Sequence, residues 1–159
     1  MVSTLTVRRA RPSDADAVAR VYIEAWRDTY PLVLPAKLLL NMSVERQSAR
    51  WRNAIAMAAR EAVYVAEDDK GHIHGMTSLG RARDTALGFD AEIYTLYVSP
   101  AMTGLGIGRA LLAGAFTALA ERGHARCVIW AHAKNPARFF YEAMGGKLVA
   151  ERDTTMMGV

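Results

Sequence analysis

Two kinds of periodicity divide the chain into strands and helices. Apolar and polar residues alternate in short runs, which is typical of strands, and in longer runs apolar residues recur every three or four positions, which is typical of helices. Proline and glycine residues separate the runs and mark the turns. The predicted strands lie at residues 4–10, 62–67, 72–80, 91–98, 127–131 and 147–152, and the predicted helices begin near residues 13, 35, 43, 107 and 137.

Three glycines lie directly before one of these helices. The preceding strand stops at Ser99-Pro100, because proline has no N–H to donate to a neighbouring strand. Gly104, Gly106 and Gly108 then occupy alternate positions, where they permit backbone conformations and close approaches that a Cβ would block. Unpaired N–H groups of such a loop and of the first helical turn point in one direction. The loop is therefore predicted to bind a ligand that carries phosphate.

Two common phosphate-binding motifs do not fit this loop. A Walker loop needs Lys and then Ser or Thr after its last glycine, whereas Arg109 and Ala110 follow here. A dinucleotide-binding loop needs G-x-G-x-x-G and an acidic residue at the end of the next strand, and residues 127–133 contain no acidic residue. A tight strand-to-helix turn without any ligand is an alternative for the loop by itself.

A second cluster of unusual residues reads K-N-P-A-R-F-F-Y-E-A-M-G-G over residues 134–146. Asn135 and Pro136 predict the start of a helix, because Asn caps the first turn and proline is favoured at the first helical position. Gly145 and Gly146 predict its end.

Together the two clusters resemble the landmarks of the GCN5-related N-acetyltransferase (GNAT) superfamily. In that family a strand and a proline are followed by Q/R-x-x-G-x-G/A and a helix, and a later segment reads N-x-x-A-x-x-F-Y-E-x-x-G. Thr103 is a departure, because the family usually has Gln or Arg at its position. The residues that match the second landmark are Asn135, Phe140, Tyr141, Glu142 and Gly145.

The resemblance implies a fold for the whole chain. It implies a single N-acetyltransferase domain over residues 1–159, of the α/β class. The expected sheet is central, mixed and mostly antiparallel, with six to seven strands and about four flanking helices. The central strand at residues 91–98 is expected to bulge and part from its neighbour.

The resemblance also implies that acetyl-coenzyme A (acetyl-CoA) is the cosubstrate and that its acetyl group passes to an amine by direct attack. The sequence agrees in one respect, since no Ser or Cys has an evident His partner. Backbone N–H groups of the glycine loop would bind the pyrophosphate, and main-chain groups of the central strand would bind the pantetheine arm. The residues expected to bind acetyl-CoA are Leu96, Tyr97, Val98, Thr103, Gly104, Leu105, Gly106, Ile107, Gly108, Arg109, Asn135, Phe140 and Tyr141.

Three residues are expected, from the same resemblance, to take part in the chemistry. Tyr141 matches the tyrosine that protonates the departing thiolate of coenzyme A, a role open to a phenol within hydrogen-bond reach. The N–H of Leu96 is the expected donor to the thioester carbonyl. Glu92 matches a glutamate that some members use as general base. A chain of water molecules is the alternative base, and His132 is a further candidate.

The acceptor is expected to be a small-molecule or peptide amine. Family members build the acceptor pocket in the helical segments between the first two strands, so Trp26 and Tyr30 are expected to contact it. Two other classes of function stay open. One is a non-catalytic domain that binds acyl-CoA, and the other is an NAD-dependent oxidoreductase, which the missing acidic residue disfavours. Family members usually carry a seventh strand; if it is absent here, the open sheet edge would favour a homodimer.

Composition excludes several other classes. Hydrophobic residues make up 52% and charged residues 23%, which is typical of a soluble globular protein. The net charge of +4 is spread along the chain, so no nucleic-acid partner is expected. No apolar run approaches the ~20 residues that span a bilayer, so no membrane segment is expected. The single Cys127 fits a reducing compartment and hence the cytoplasm. No His, Cys and carboxylate cluster has metal-ligand spacing, so no metal is expected.

Overall fold

A computed structural model describes residues 4–156 as a mixed sheet with helices on both faces. The strands are β1 (Thr6–Arg9), β2 (Ala62–Glu67), β3 (Ile73–Arg81), β4 (Ala91–Val98) and β5 (Val128–Ile129). The helices are α1 (Ala15–Thr29), α2 (Ala36–Leu40), α3 (Val44–Ala56), α4 (Ile107–Glu121) and α5 (Ala137–Ala143). The strands lie in chain order, β1 to β4 antiparallel to their neighbours and β5 parallel to β4. This architecture is of the predicted α/β class.

Two apolar layers hold the helices against the sheet. On one face Val18 of α1 and Trp51 of α3, both fully buried, pack against Met76 of β3. On the other face Leu112 of α4 packs against Ile93 of β4. The apolar side chains of these helices, whose spacing predicted amphipathic helices, therefore face the sheet from both sides. In the described part of the chain, no helix combines the length and the apolar character needed to cross a membrane.

The predicted sheet of six to seven strands is wrong in its count, because five strands form among residues 4–156. Residues 147–152 do not form the predicted strand. Leu148 and Val149 are 65% and 57% exposed, so neither apolar side chain of this segment is packed against the sheet. Arg152 donates to Asp84 at 2.9 Å, which holds the segment to the loop before β4. Residues 157–159, where a seventh strand was considered, lie outside the described residues.

An ion-pair network joins β1, the short 3-10 turn Pro12–Asp14 and β2. The Arg8 guanidinium donates to both Asp14 oxygens at 2.8 and 3.1 Å and to Glu67 Oε2 at 2.8 Å. The hydrogen bonds from Arg8 lower the pKa of both carboxyl groups and raise the pKa of the guanidinium. The network therefore stabilises the first strand only while both carboxyl groups are ionised.

We expect Arg8→Gln to lower the melting temperature at neutral pH by about 2–4 °C, because the two carboxylates lose their shared partner. Their pKa values are lowered in the folded state, so the stabilisation is present above the ordinary carboxyl pKa of about 4 and is lost as the pH falls through that region. Thermal unfolding between about pH 3 and pH 7 should therefore depend less on pH in Arg8→Gln than in the unmodified protein. Arg9→Gln is the control, since Arg9 forms no ion pair in the described residues. Equal pH dependence in all three proteins would contradict the expectation.

Candidate active site

The central strand β4 carries a bulge at the point where it leaves β5. Ser78 of β3 lies opposite Thr95 of β4, but the next residue, Leu79, lies opposite Ile93, so Tyr94 is an extra residue on β4. The parallel pairing between β4 and β5 covers two residue pairs and ends at Ile93. A gap therefore opens between the two strands from Tyr94 onward, which is the parting that the family resemblance implied.

Two hydrogen bonds to β3 fix the direction of the main-chain groups that border this gap. The Thr95 carbonyl accepts from the Thr77 hydroxyl at 2.8 Å, so it points toward β3. In a trans peptide the following N–H points the opposite way, and the Leu96 N–H therefore faces the gap. The Ser99 N–H donates to the His74 carbonyl on β3 at 2.8 Å. By the same geometry the Val98 carbonyl faces the gap.

The gap forms a narrow cleft with walls from four parts of the fold. Its residues come from β4, from β5 and the turn after it, from the start of α5, and from the end of α1. They are Tyr94, Thr95, Leu96, Tyr97, Ile129, Trp130, Ala131, Asn135, Tyr141 and Tyr30. Leu96, Tyr97, Asn135, Tyr141 and Tyr30 were predicted as site residues, and the fold brings them together.

Tyr141 contributes a phenol to this cleft from the middle of α5. Asn135 was predicted to cap that helix, but the helix begins at Ala137 with Pro136 at its N-cap, one residue later than predicted. The Asn135 Oδ1 accepts the Ala137 N–H at 2.9 Å, which holds Asn135 against the helix start. The Asn135 amide also donates to the Tyr30 hydroxyl at 3.0 Å, which links α5 to the end of α1. Burial raises the pKa of Tyr141 to about 12 and also raises that of Tyr30. Both phenols are therefore protonated at neutral pH and can donate hydrogen bonds.

Aromatic rings form the wall of the cleft on the α1 side. Tyr30 packs against Trp26 at 4.8 Å between ring centroids and contacts His132 edge-on at 6.3 Å. Tyr22 contacts Tyr97 at 5.3 Å. Burial raises the pKa of Tyr97, so this hydroxyl also stays protonated. Trp26, predicted to contact the acceptor, packs behind Tyr30 and does not line the cleft.

The glycine loop supplies a row of unpaired backbone N–H groups, called here the amide cradle (residues 103–109). The first amide of the following helix with a main-chain acceptor is that of Ala110, which donates to Gly106 at 3.0 Å. Within the described residues no main-chain acceptor is found for the cradle amides. Gly106 has φ = 83°, a left-handed conformation that disfavours any residue with a Cβ. The cradle thus fits the anion site predicted from its sequence.

Two side chains of the amide cradle bear on its charge. Arg109 is exposed in the first turn of α4, where the partial positive charge of the helix disfavours a cation unless an anion lies nearby. The Thr103 hydroxyl donates to the Pro100 carbonyl at 3.1 Å, so its hydrogen is already used. The cradle would therefore hold an anion through its main chain, with Arg109 as the nearby cationic side chain.

Phe140 connects the amide cradle to the cleft. Its ring lies over Gly108, where a Cβ would be 3.4 Å from the Phe140 Cζ, and it also packs against the cluster that includes Leu96. Helix α5 is therefore seated directly on the first turn of α4. This contact brings Tyr141, the next residue, to the same side of the sheet edge as the cradle.

Glu92, predicted as a general base, lies two residues before the bulge and does not line the cleft. Its side chain is 1% exposed. Oε1 accepts the Arg83 N–H at 3.0 Å, and Oε2 accepts from the Arg83 guanidinium through Nε at 3.1 Å and through Nη2. The role of base stays a prediction, but both carboxylate oxygens already have donors.

Tyr94, Thr95 and Trp130 line the cleft but were predicted only as strand residues. Nothing in the alternation of residues 91–98 marks the bulge, because Tyr94 fits a regular strand as well as an irregular one. The contact between the Thr95 and Ser78 hydroxyls joins two different strands, so the sequence of residues 91–98 alone could not reveal it. Among residues 4–156, no three His, Cys, Asp or Glu side chains are grouped as a metal site.

Comparisons with known proteins agree with this geometry. The family model for the Acetyltransferase (GNAT) domain matches residues 59–145. An uncharacterized N-acetyltransferase of Bacillus subtilis strain 168, YuaI, is 32% identical over 155 residues, which cover 98% of this chain and 87% of YuaI.

Two solved structures share the fold at low sequence identity. The PaiA N-acetyltransferase of Thermoplasma acidophilum, solved in complex with coenzyme A, has a TM-score of 0.79 at 22% identity, covering 94% of this chain and 93% of that one. The aminoglycoside N-acetyltransferase AAC(6')-Iy, also solved with coenzyme A, has a TM-score of 0.75 at 14% identity, covering 98% and 96%. With a family model over more than half of its length and a relative of 32% identity over nearly all of it, the chain belongs to the GNAT superfamily of acetyltransferases.

Proposed function

We propose that this protein transfers an acetyl group from acetyl-CoA to a primary amine by direct attack within a ternary complex. The observation that carries the proposal is the gap between β4 and β5, with the Leu96 N–H and the Tyr141 phenol on its border. The amide cradle lies beside the same strand, because Ile107 packs in one cluster with Leu96 and Val98. A binding pocket for an ordinary metabolite does not require a sheet to part in this way.

The chain's own groups fit two parts of acetyl-CoA. The cradle amides and the N-terminus of α4 suit the pyrophosphate, because both present positive charge to an anion. The main chain of Leu96 and Val98 suits the pantetheine arm, whose amide groups can pair with it as a neighbouring strand would. Tyr97 and Phe140 contribute the apolar surface around the arm.

The transfer requires three events at the thioester. The amine nitrogen attacks the carbonyl carbon, and the Leu96 N–H stabilises the negative charge that develops on the carbonyl oxygen. The carbon–sulfur bond breaks, and the Tyr141 hydroxyl donates its proton to the leaving thiolate. The acceptor must lose one proton from its ammonium form before its nitrogen can attack, and a second proton leaves as the amide forms. Because both oxygens of Glu92 already accept hydrogen bonds from Arg83, we assign these two protons to water in the cleft.

The acceptor is proposed to be a small-molecule or peptide amine that enters on the α1 side, beside Tyr30 and the Trp26 ring packed behind it. Among the described residues, those that line the cleft include no carboxylate and no basic side chain. An amine that enters it is therefore desolvated without a counter-ion, which lowers its pKa and favours the neutral, nucleophilic form.

The proposal is tested by following free thiol release from acetyl-CoA across a panel of amines. Release that depends on one class of amine is expected, and Tyr141→Phe should lower kcat by about 10²-fold or more. Because the pKa of Tyr141 is raised to about 12, the phenol stays protonated and kcat should not fall between about pH 8 and pH 10. Tyr64→Phe, on β2 outside the cleft, is the control and should keep full activity.

Two outcomes of that assay would contradict the proposal. Binding of acetyl-CoA without thiol release for any amine, including peptide amines, would favour a non-catalytic acyl-CoA-binding domain. Absence of acetyl-CoA binding altogether would remove the basis for either function.

The amide cradle is tested by a matched pair of glycine substitutions. Gly106 and Gly71 both have φ = 83° and open space around the position of a Cβ, so alanine strains both turns equally. Gly106→Ala is expected to weaken acetyl-CoA binding by about tenfold, the effect of roughly 1.4 kcal/mol of misplacement. Gly71→Ala, in the β2–β3 turn, should lower stability without changing that affinity. Calorimetric titration of both variants with acetyl-CoA makes the measurement, and equal affinities would contradict the role of the cradle.

A homodimer is also proposed, because β5 is one of the two edge strands of the described sheet and pairs with its neighbour over only two residues. Light scattering after size-exclusion chromatography should give twice the chain mass of 17.4 kDa at high concentration. A monomer mass that does not change with concentration would contradict this.

A cytoplasmic location is proposed on the single half-buried Cys127, whose thiol suits a reducing compartment.

A further inference from the structure

We propose that Arg83 and Glu92 are positioning residues, whose ion pair holds the bulge of β4 and thereby directs the Leu96 N–H into the cleft. This inference rests on the proposed function, since it concerns the donor to the thioester carbonyl. Glu92 then acts through the main chain and touches neither substrate.

The ion pair ties the loop after β3 to β4 just before the bulge. Three N–H groups of Arg83 converge on the two oxygens of Glu92, one from the main chain and two from the guanidinium. Glu92 is almost fully buried whereas the Arg83 side chain is 65% exposed. Burial of a carboxylate is unfavourable unless its hydrogen bonds are satisfied, so Glu92 holds its place only while Arg83 stays there.

The bulged residue itself is held by the same loop. The Tyr94 hydroxyl donates to the Arg81 carbonyl, and the Arg83 guanidinium carbon lies 5.0 Å from the centre of the Tyr94 ring. Gly80 makes room for the ring, because a Cβ there would lie 2.6 Å from the Tyr94 hydroxyl oxygen. Tyr94 therefore cannot return to a regular strand position without losing these contacts.

Hydrogen bonds fix the other side of the bulge. The hydroxyls of Thr95 and Ser78 are 2.7 Å apart, and the Thr77 hydroxyl donates to the Thr95 carbonyl. Thr77 and Ser78 are fully buried, so water does not compete for these bonds. The peptide between Thr95 and Leu96 is thus held from β3, while the residues before it are held by Arg83.

The direction of the Leu96 N–H depends on both supports. If Glu92 is released, the residues before the bulge lose their support, and the Thr95–Leu96 peptide is held by the hydroxyl groups of β3 alone. The Leu96 N–H is then directed into the cleft less firmly. The ion pair therefore contributes to catalysis although it lies outside the cleft.

The test is a double-mutant cycle with Glu92→Gln, Arg83→Gln and the double variant, assayed with the best amine. Each single variant is expected to lower kcat by about 10- to 100-fold, less than the roughly 10²- to 10³-fold typical for complete loss of an oxyanion donor. The double variant should be no worse than either single one, because both remove the same support. Arg83→Lys should recover part of the activity, since an ammonium keeps the charge but not the fork of donors.

A matched control separates positioning from general stability. Arg8→Gln breaks a partly buried ion pair at the opposite edge of the sheet and should lower the melting temperature without changing kcat. The dissociation constant of acetyl-CoA is expected to rise by a smaller factor than kcat falls, because the contacts of the amide cradle are kept in all variants.

A ligand-free measurement reads the bulge directly. In ¹⁵N–¹H spectra the Leu96 amide signal should shift in Glu92→Gln and Arg83→Gln but not in Arg8→Gln. This readout does not depend on turnover, so it stands even if the proposed acetyl transfer fails.

Three results would overturn the inference. If Glu92→Gln alone lowers kcat and removes the pH dependence of the reaction, while Arg83→Gln does neither, Glu92 is the general base. If both variants behave like Arg8→Gln, the ion pair serves stability only. If the Leu96 amide does not move in either variant, the ion pair does not hold the bulge. Wild-type protein that turns over no amine would instead contradict the proposed function.

Discussion

The parting of β4 from β5 after Ile93 is the constraint on which the rest of the structure depends. β4 stays paired with β3 through Val98, so only its edge toward β5 loses its hydrogen-bonding partner. Main-chain N–H and C=O groups in a partly buried cleft are unfavourable without partners. A ligand that carries amide groups of its own can supply those partners. Under the proposed function, the irregularity of the sheet is therefore also the site that binds acetyl-CoA.

The helices place the remaining groups around that gap. The N-terminus of α4 lies beside β4 with the free amides of residues 103–109, and the Phe140 ring on Gly108 seats α5 against the same turn. This seating brings Tyr141 into the cleft, and the hydrogen bond from Asn135 to Tyr30 joins it to α1. The supports come from segments distant in the sequence, so the site forms only when the whole sheet is in place.

Local chemistry decided which parts of this arrangement could be predicted. The glycine loop and the hydrogen bond from the Ala137 N–H to Asn135 act within a few residues, so their sequences specify them. The bulge at Tyr94 depends on Gly80, Ser78 and Arg83, which belong to another strand and its following loop. The sequence around Tyr94 does not indicate that these residues lie beside it. The predicted strand at residues 147–152 failed for a similar reason. Its composition suits a strand, but Arg152 is drawn to Asp84 and Trp130 instead.

A crystal structure of the protein with coenzyme A tests the central claim most directly. We expect the pantetheine arm between β4 and β5, hydrogen-bonded to the main chain of Leu96 and Val98, with the pyrophosphate on the amides of residues 103–109 and the sulfur beside the Tyr141 hydroxyl. Coenzyme A bound elsewhere, for example in the groove between α1 and the β2–β3 turn, would contradict it. So would closure of the gap between β4 and β5 in the complex.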